Sequence, residues 1–351
     1  MKIKAPVVNK EEAARLCGIG VDELFCGIEP SYWRKQYRCF SISQRSTAAN
    51  FTRLSELEKA IDIAHRNKTK VHVAVNAFFY LEKQYDMAER IIKDVLNIGA
   101  DGIIIADAVL LLKLNKALLK DRDIIVGCDA VVFNSYAVKF YKDLGATRIV
   151  LPRSMTIPEM KEAVSRDTSM EYEVFIIHDL CFFEDGLCAS CKEASGSVGL
   201  RKGKEGNKKV SLFTGPIISK PILTRGYLGG CRDVFQQQKI SVKDDRNISR
   251  VKHFSFWDKK HIQGCGACAI YDFKEMGMAS LKILDRKLPI EEKAKALMFI
   301  KKCSDLLLKG DIDKKNYTKE CKALFKKTFK TKCSLYDCYY PYGKSNIYFK
   351  H

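Results

Sequence analysis

Six cysteines lie within fewer than ninety residues in the middle of the chain, and their spacing suggests metal chemistry. They are Cys181, Cys188, Cys191, Cys231, Cys265 and Cys268. Two pairs, Cys188 with Cys191 and Cys265 with Cys268, have the spacing Cys-x-x-Cys. Thiolates are soft ligands that select zinc, copper(I) or iron–sulfur clusters over hard cations. The pattern therefore predicts a metal or iron–sulfur site.

Two sets of four ligands are compatible with these spacings. A [4Fe–4S] cluster and a structural zinc ion each take four ligands. The first set is the two Cys-x-x-Cys pairs, although the gap between them exceeds the usual spacing of zinc ribbons. The second set gathers ligands from the whole region: Cys181, Cys188, Cys231 and Cys268. The spacing alone leaves both sets open.

Other residues near or beyond this region have several possible roles. His178, just before Cys181, is a candidate acid–base, a candidate ligand or an ordinary strand-end histidine. A second metal site is the less favoured interpretation of three cysteines in the tail, Cys321, Cys333 and Cys338. Four cysteines in apolar patterns are expected to be small core residues: Cys17, Cys26, Cys128 and Cys303.

The elements that must position these residues alternate between apolar strands and amphipathic helices. The sequence predicts eight strands, at Ile3–Val8, Glu23–Ile28, Val71–Ala77, Gly102–Ala106, Ile124–Gly127, Arg148–Leu151, Val174–His178 and Ser280–Leu284. Near-continuous apolar strands separated by helices are typical of a parallel sheet buried on both faces. Eight such units indicate an α/β fold, a (β/α)8 TIM-like barrel.

The domain organisation follows from this count. We expect a barrel domain over residues 1–310. It includes a long cysteine-rich insertion, residues 179–275, between strands seven and eight. A basic, aromatic extension over residues 311–351 follows. In (β/α)8 barrels the active-site residues lie at the carboxyl ends of the strands. The polar residues expected there are Asn76, Asp107, Asp129, Arg153 and His178.

The composition indicates which kinds of partner and which cellular compartment to expect. The 351 residues carry a formal net charge of +19, which fits a polyanionic partner such as RNA or a generally lysine-rich surface. The densest basic stretch, Lys314–Lys332, is interleaved with aromatic residues that suit stacked bases or a helix docked on the barrel. The sequence has no apolar run long enough to span a bilayer and no secretory signal pattern. We therefore expect a cytoplasmic protein with reduced cysteines.

Several segments, in chain order, carry a resemblance to a known family. They are Ala5–Asn9, Gly20–Gly27, Arg45 with Ala49–Thr52, Asn134–Lys142, Leu144–Leu151, His178 with Cys181 and Cys188, Cys268–Ile270, and Gly277 with Ser280–Ile283. Together they cover roughly residues 1–310, with weaker support from 192 to 260. The chain resembles the peptidase U32 family, the collagenase-like proteases.

The resemblance implies a barrel-like fold that carries a [4Fe–4S] cluster. It favours Cys181, Cys188 and Cys268 as ligands, with Cys231 as the third ligand in chain order. Cys191 and Cys265 are the alternates. Several members of the family act in oxygen-independent hydroxylation of RNA bases or of a quinone precursor, with prephenate as the implied oxygen donor. Other members are classed as peptidases.

The chain departs from the family pattern at two places. The family's Arg-Glu after strand six is Arg153-Ser154 here. Its Glu-Gly-Arg after strand eight is Leu284-Asp285-Arg286. Two carboxylates expected at the barrel mouth are thus missing or moved.

Three functions remain open at this point. The first is an iron–sulfur hydroxylase or related redox enzyme acting on an RNA base or a small molecule. In it Arg153 and Arg286 bind an anionic co-substrate, and His178 or Asp107 moves protons. The second is a U32-type peptidase. The third is a non-catalytic subunit with an iron–sulfur or zinc site that binds RNA or a partner protein. A homo-oligomer is also compatible with the sequence.

Overall fold

Eight β-strands form a closed barrel in which each neighbouring pair runs parallel. They are β1 Lys2–Pro6, β2 Glu23–Gly27, β3 Lys70–Val75, β4 Gly102–Ile105, β5 Asp123–Val126, β6 Arg148–Val150, β7 Glu171–Ile177 and β8 Ser280–Ile283. The strand order follows the chain, and β1 pairs with β8 to close the barrel. The predicted (β/α)8 fold is confirmed.

The computed structural model describes residues 1–37, 41–43, 47–180, 186, 264–308, 310–333 and 338–341. Cys181, Cys188, Cys191 and Cys231, and most of the insertion predicted over residues 179–275, lie outside the described residues.

Helices connect the strands. They are α1 Lys10–Ile19, α2 Ser31–Gln36, α3 Leu54–Arg66, α4 Tyr85–Asn97, α5 Ala108–Lys113, α6 Lys116–Leu119, α7 Ser135–Asp143, α8 Ile157–Arg166, α9 Ile270–Glu275, α10 Ile290–Leu306 and α11 Lys314–Phe329. Side-chain caps begin several of them. Asn9 and Thr156, for example, accept hydrogen bonds from the backbone amides of Glu12 and Glu159. None of the described helices is both long and apolar enough to cross a membrane.

The strand ends differ slightly from the prediction. β7 begins at Glu171 rather than at Val174. The apolar pattern misses these residues because Glu173 is a buried charged residue in the barrel interior. All eight strands end one or two residues earlier than predicted. The polar residues that follow them then belong to the loops at the barrel mouth.

Helix α11 packs on the barrel through its aromatic side chains. The hydroxyl of the buried Tyr317 donates to the carbonyl oxygens of Ala267 and Cys303, both at 3.2 Å. The rings of Phe325 and Phe329 lie 5.9 and 5.2 Å from the ring of Phe299 on α10. Of the two roles open for the aromatics of this segment, these residues therefore take the docking role.

Candidate active site

A cleft lies at the carboxyl ends of the strands, where barrel chemistry is expected. It is lined by Phe25, Ser43, Ala74, Asn76, Ile104, Gly127, Cys128, Asp129, Arg153, Phe175, Asp179, Lys282, Leu284, Asp285 and Arg286. Three cations and three carboxylates face it, together with two aromatic rings. Cys128, expected in the core, is only partly buried and belongs to this lining, whereas Cys17, Cys26 and Cys303 are buried as predicted.

Arg286 is held rigidly by the loops after β2. Its Nη1 donates to Asn50 Oδ1 at 2.8 Å, and its Nη2 donates to the backbone oxygen of Ser43 at 2.8 Å. The Ser43 hydroxyl donates to the same Asn50 oxygen. The side chain is only 8% exposed. A guanidinium fixed in this way presents its planar donor edge in one orientation, which suits recognition of a carboxylate or phosphate.

Arg153 follows β6, two strands away in the barrel from β8, after which Arg286 lies. Its guanidinium carbon lies 5.0 Å from the centre of the Phe175 ring, a cation–π arrangement. Its Nη1 donates to the backbone oxygen of Asp179. The two arginines predicted to bind an anion therefore line one cleft.

Lys282 is a third cation of the cleft and was not among the site residues predicted from the sequence. Its Nζ donates to Glu173 Oε1 at 2.8 Å and lies 4.6 Å from the centre of the Phe25 ring. A signal was available, because Lys282 alternates with the apolar Leu281 and Ile283 in a strand that is buried throughout. A lysine in such a position faces the barrel interior.

A buried ionic layer lies beneath the cleft. Glu173 is within 2.6 Å of Lys4 Nζ and 3.2 Å of Arg148 Nη1, besides its bond to Lys282. Burial alone would raise the pKa of Glu173, but the charges of Lys282, Lys4 and Arg148 outweigh it and hold that pKa well below its usual range. The carboxylate is therefore ionised and fixes the position of Lys282.

Polar groups of β3 and β5 complete the mouth. Asn76 donates through Nδ2 to Asp129 Oδ2 at 2.8 Å. The amide fixes one oxygen of this carboxylate. Asp129 thus becomes a candidate for holding or moving a proton, a role that was predicted for His178 or Asp107.

The structure shows where the residues that depart from the family pattern after β8 lie. Asp285 occupies the position of the family's glycine, and its φ of 65° is left-handed. Glycine adopts this conformation without strain, and aspartate is among the residues that tolerate it. Asp285 lines the cleft beside Leu284, which stands where the family has glutamate. The carboxylate has moved by one residue and still reaches the cleft.

Two predicted proton-transfer residues lie outside the cleft lining. Asp107 caps α5, where it accepts from the amide of Leu110 at 2.7 Å, and Tyr85 donates to its other oxygen at 3.4 Å. His178 is buried and has a left-handed φ of 69°. Its backbone amide donates to Gly264 at 2.9 Å. The structure brings Arg153 and Arg286 to the cleft but not these two side chains.

Two described residues that neighbour Cys181 and Cys188 in the chain lie close to the barrel mouth. Asp179, two residues before Cys181, lines the cleft. A side chain on Gly186, two residues before Cys188, would overlap the backbone of Asp129.

On the other side of the insertion, Cys265 pairs with Ile177 at the end of β7, and Gly266 donates to Ile176 at 2.7 Å. Cys268 follows in the short helical turn Ala267–Ala269. Both borders of the insertion thus meet at the end of β7, and a thiolate-only donor set fits an iron–sulfur cluster or zinc.

Comparisons with known proteins find relatives that are similar in sequence. The tRNA hydroxylation protein P1 of Bacillus subtilis is 28% identical over 190 residues, which cover 53% of this chain and 41% of that protein. The tRNA hydroxylation protein P of Escherichia coli is 27% identical over 187 residues, covering 53% and 37%. The Escherichia coli 23S rRNA 5-hydroxycytidine C2501 synthase is 26% identical over 135 residues, covering 38% and 20%.

The matches span less than half the length of each of these relatives. The sequence model of peptidase family U32 matches residues 8–346, nearly the whole chain. The chain belongs to peptidase family U32.

Proposed function

We propose that the chain is an enzyme that hydroxylates an RNA base without molecular oxygen, using an anionic co-substrate such as prephenate. The observation that carries the proposal is the cleft, in which Arg153, Lys282 and Arg286 face one space between two aromatic rings. The names of the relatives, two tRNA hydroxylation proteins and one rRNA hydroxycytidine synthase, support the reaction class.

The cleft residues have distinct parts in this proposal. Arg286 and Arg153 bind the carboxylates of the co-substrate through their guanidinium groups. Lys282, whose charge Glu173 balances from beneath the cleft, adds a hydrogen-bond donor at the floor of the cleft. Asp129 and Asp285 hold or accept a proton at their carboxylate oxygens. The rings of Phe25 and Phe175 exclude water from one side of the bound molecule.

A [4Fe–4S] cluster is part of the proposal. Its ligands are drawn from Cys181, Cys188, Cys231 and Cys268, with Cys191 and Cys265 as alternates. Such a cluster would supply electron transfer at the barrel mouth. A zinc ion on the same thiolates is the alternative and would make the site structural.

The outer face of α11 supports RNA as the substrate. Four exposed lysines recur on it at helical spacing, at Lys315, Lys319, Lys322 and Lys326. Residues three or four apart share one face of a helix. Such a row of ammonium groups suits a phosphate backbone, and the net charge of +19 acts in the same direction.

Two experiments test the proposal. Nucleosides from the RNA of cells with and without the chain, grown without oxygen, are compared by mass spectrometry. The proposal expects one hydroxylated nucleoside to disappear with the chain, and unchanged nucleosides would overturn it.

The second experiment tests the cofactor. The protein is purified without oxygen, and its iron is counted. About four irons per chain and a broad visible absorption band support the cluster. A colourless protein that contains zinc and no iron would overturn this part.

A further inference from the structure

The last described segment of the chain, residues 338–341, is joined to the end of β7 through one intervening stretch of backbone. Cys265 in this stretch pairs with Ile177 of β7 on one side and with Cys338 on the other. The amide of Tyr339 donates to the Cys265 carbonyl oxygen at 3.0 Å. None of the four residues of the segment lines the cleft, so any effect on the site passes through β7.

Two tyrosine hydroxyls reach past the intervening stretch to β7 itself. Tyr340 donates to the Phe175 carbonyl oxygen at 2.9 Å, and Tyr339 donates to the carbonyl oxygen of His178. The pairing of β7 with β8 shifts register between Phe175 and Ile177. An irregularity of this kind disrupts the ladder of backbone hydrogen bonds. The two hydroxyls therefore hold β7 where its own ladder is interrupted.

The two tyrosine rings lie directly on the intervening backbone. A Cβ atom on residue 264 would lie 2.6 Å from Cε2 of Tyr339, and a Cβ atom on residue 266 would lie 2.8 Å from Cε2 of Tyr340. Carbon atoms in ordinary contact are about 3.5–4.0 Å apart. Only glycine fits at Gly264 and Gly266 with the rings in these places. Both rings are buried, so the tyrosines are fixed on the end of β7.

The part of β7 held by the tyrosines supplies two contacts of Arg153. The Phe175 ring lies 5.0 Å from the guanidinium carbon of Arg153, and the Asp179 carbonyl oxygen accepts from its Nη1. Tyr340 bonds the backbone of the residue that carries the ring. Tyr339 bonds the backbone of the residue before Asp179. Each tyrosine thus fixes one of these two contacts from the side away from the cleft.

The turn that presents the Asp179 carbonyl needs such support. His178 and Asp179 have φ values of 69° and 53°, both left-handed. This conformation is unfavourable for residues other than glycine, and it persists where surrounding contacts hold it. The amide of His178 donates to Gly264 at 2.9 Å, and its carbonyl oxygen accepts from Tyr339. Both backbone groups of the first residue of the turn are therefore held.

We propose that Tyr339 and Tyr340 are positioning residues for Arg153, so that the C-terminal segment sets the geometry of the anion site without touching the anion. The inference rests on the proposed function, in which Arg153 binds a carboxylate of the co-substrate. A guanidinium binds a carboxylate through two parallel hydrogen bonds, which require one orientation. Loss of the two hydroxyl bonds releases the end of β7, and the guanidinium of Arg153 then loses that orientation.

The first test measures the binding of prephenate to the full-length protein by calorimetry. The variant Tyr339→Phe with Tyr340→Phe removes only the two hydroxyls and should weaken binding about tenfold. The matched control is Tyr317→Phe, because Tyr317 is also a buried tyrosine of the C-terminal extension and donates to the carbonyls of Ala267 and Cys303. The control should bind within about twofold of wild type. Equal binding by all three proteins, or an equal loss in the control, would overturn the proposal.

A double-mutant cycle separates positioning from general support of the fold. In an Arg153→Lys background, removal of the two tyrosine hydroxyls should weaken binding by less than about a further twofold, because the residue through which they act is gone. A loss of the same size in both backgrounds would show that the tyrosines act independently of Arg153, and it would overturn the proposal.

A ligand-free measurement keeps this proposal distinct from the proposed function. The Nε–H signal of Arg153 in the NMR spectrum is assigned by its absence in Arg153→Lys. Removal of the two hydroxyls should shift or broaden this signal, whereas Tyr317→Phe should leave it in place. An unchanged signal in the folded double variant would overturn the positioning role. If wild type binds no prephenate, the proposed co-substrate is wrong, and the NMR signal alone decides whether the tyrosines position Arg153.

Discussion

A Cβ atom on residue 27 would overlap the Nη1 atom of Arg286. Gly27 is the last residue of β2, and the guanidinium of Arg286 crosses directly over it to reach Asn50. The absence of a side chain at residue 27 thus allows an arginine from the β8 loop to lie in the barrel mouth.

The variant Gly27→Ala should displace the Arg286 guanidinium. We expect it to abolish most of the hydroxylation and to lower the free energy of unfolding by about 1–3 kcal/mol, since the added methyl overpacks a buried site. The control is Gly18→Ala, where a Cβ meets nothing within 4 Å. It should leave activity intact and add roughly 0.5–1 kcal/mol of stability. An active Gly27→Ala enzyme would contradict the assigned role of Arg286.

Asp285→Gly should change stability and activity in opposite directions. Glycine relieves the left-handed backbone at φ 65° and should stabilise the fold by about 1 kcal/mol. The same change removes a carboxylate from the cleft and should lower the hydroxylation rate. Urea unfolding and the modified nucleoside fraction measure the two effects.

Lys68→Gly is the control for the effect on stability of placing glycine in a left-handed backbone conformation. Lys68 is exposed in the turn between α3 and β3 and has a φ of 60°. Its replacement should stabilise the protein without changing activity. If Asp285→Gly gains stability and keeps full activity, the carboxylate of Asp285 has no part in the reaction.

Glu173→Gln should be far more destabilising than Glu171→Gln, although both carboxylates contact Arg148. Glu173 is 0% exposed and balances Lys4 and Lys282 as well, whereas Glu171 is 47% exposed. Removing the buried charge leaves cations uncompensated and should cost about 3–5 kcal/mol. Removing the surface charge should cost less than about 1 kcal/mol. Equal midpoints of urea unfolding for the two variants would contradict the claim that Glu173 stabilises the fold by balancing buried cations.

The buried His72 should make stability depend on pH in a defined window. Its Nε2 lies 2.9 Å from Asp123 Oδ2. Burial and the neighbouring Lys4 lower the pKa of His72 to about 4, against the opposing effect of Asp123. An unfolded histidine titrates near about 6.5. Between these values the unfolded chain binds a proton that the folded chain does not, so stability falls as the pH falls, by about 1.4 kcal/mol per pH unit.

In the window from pH about 6.5 to about 5 unfolded carboxylates contribute little to this slope, because they titrate near about 4. His72→Gln should flatten the pH dependence of urea unfolding in that window. An unchanged slope in the His72 variant would show that another group is responsible.

The barrel could be predicted from the sequence because each strand is a short apolar run followed by an amphipathic helix. Arg286 could be predicted because it follows the last strand of a recognisable pattern. The alternation of Lys282 with Leu281 and Ile283 indicates an inward-facing lysine, but the sequence does not show the partner, Glu173, that compensates its charge. That pairing joins residues 109 positions apart.

Two other features depended equally on distant contacts. Asp107 follows a strand, as catalytic carboxylates do, but its carboxylate is used to cap the next helix. The bridge between Cys265 and Cys338 connects the insertion to the C-terminal extension. No local pattern predicts which distant segment a short extended stretch will pair with.

The central claim is that the cleft around Arg286 hydroxylates an RNA base. The most direct measurement is the hydroxylated nucleoside content of RNA from cells that lack the chain and are supplied with either wild type or Arg286→Lys at matched protein levels. A lysine keeps the charge but cannot reproduce the guanidinium fork. The account predicts that wild type restores the nucleoside and that Arg286→Lys restores less than about a tenth of it. Equal restoration by both proteins, or a nucleoside that persists when the chain is absent, would contradict it.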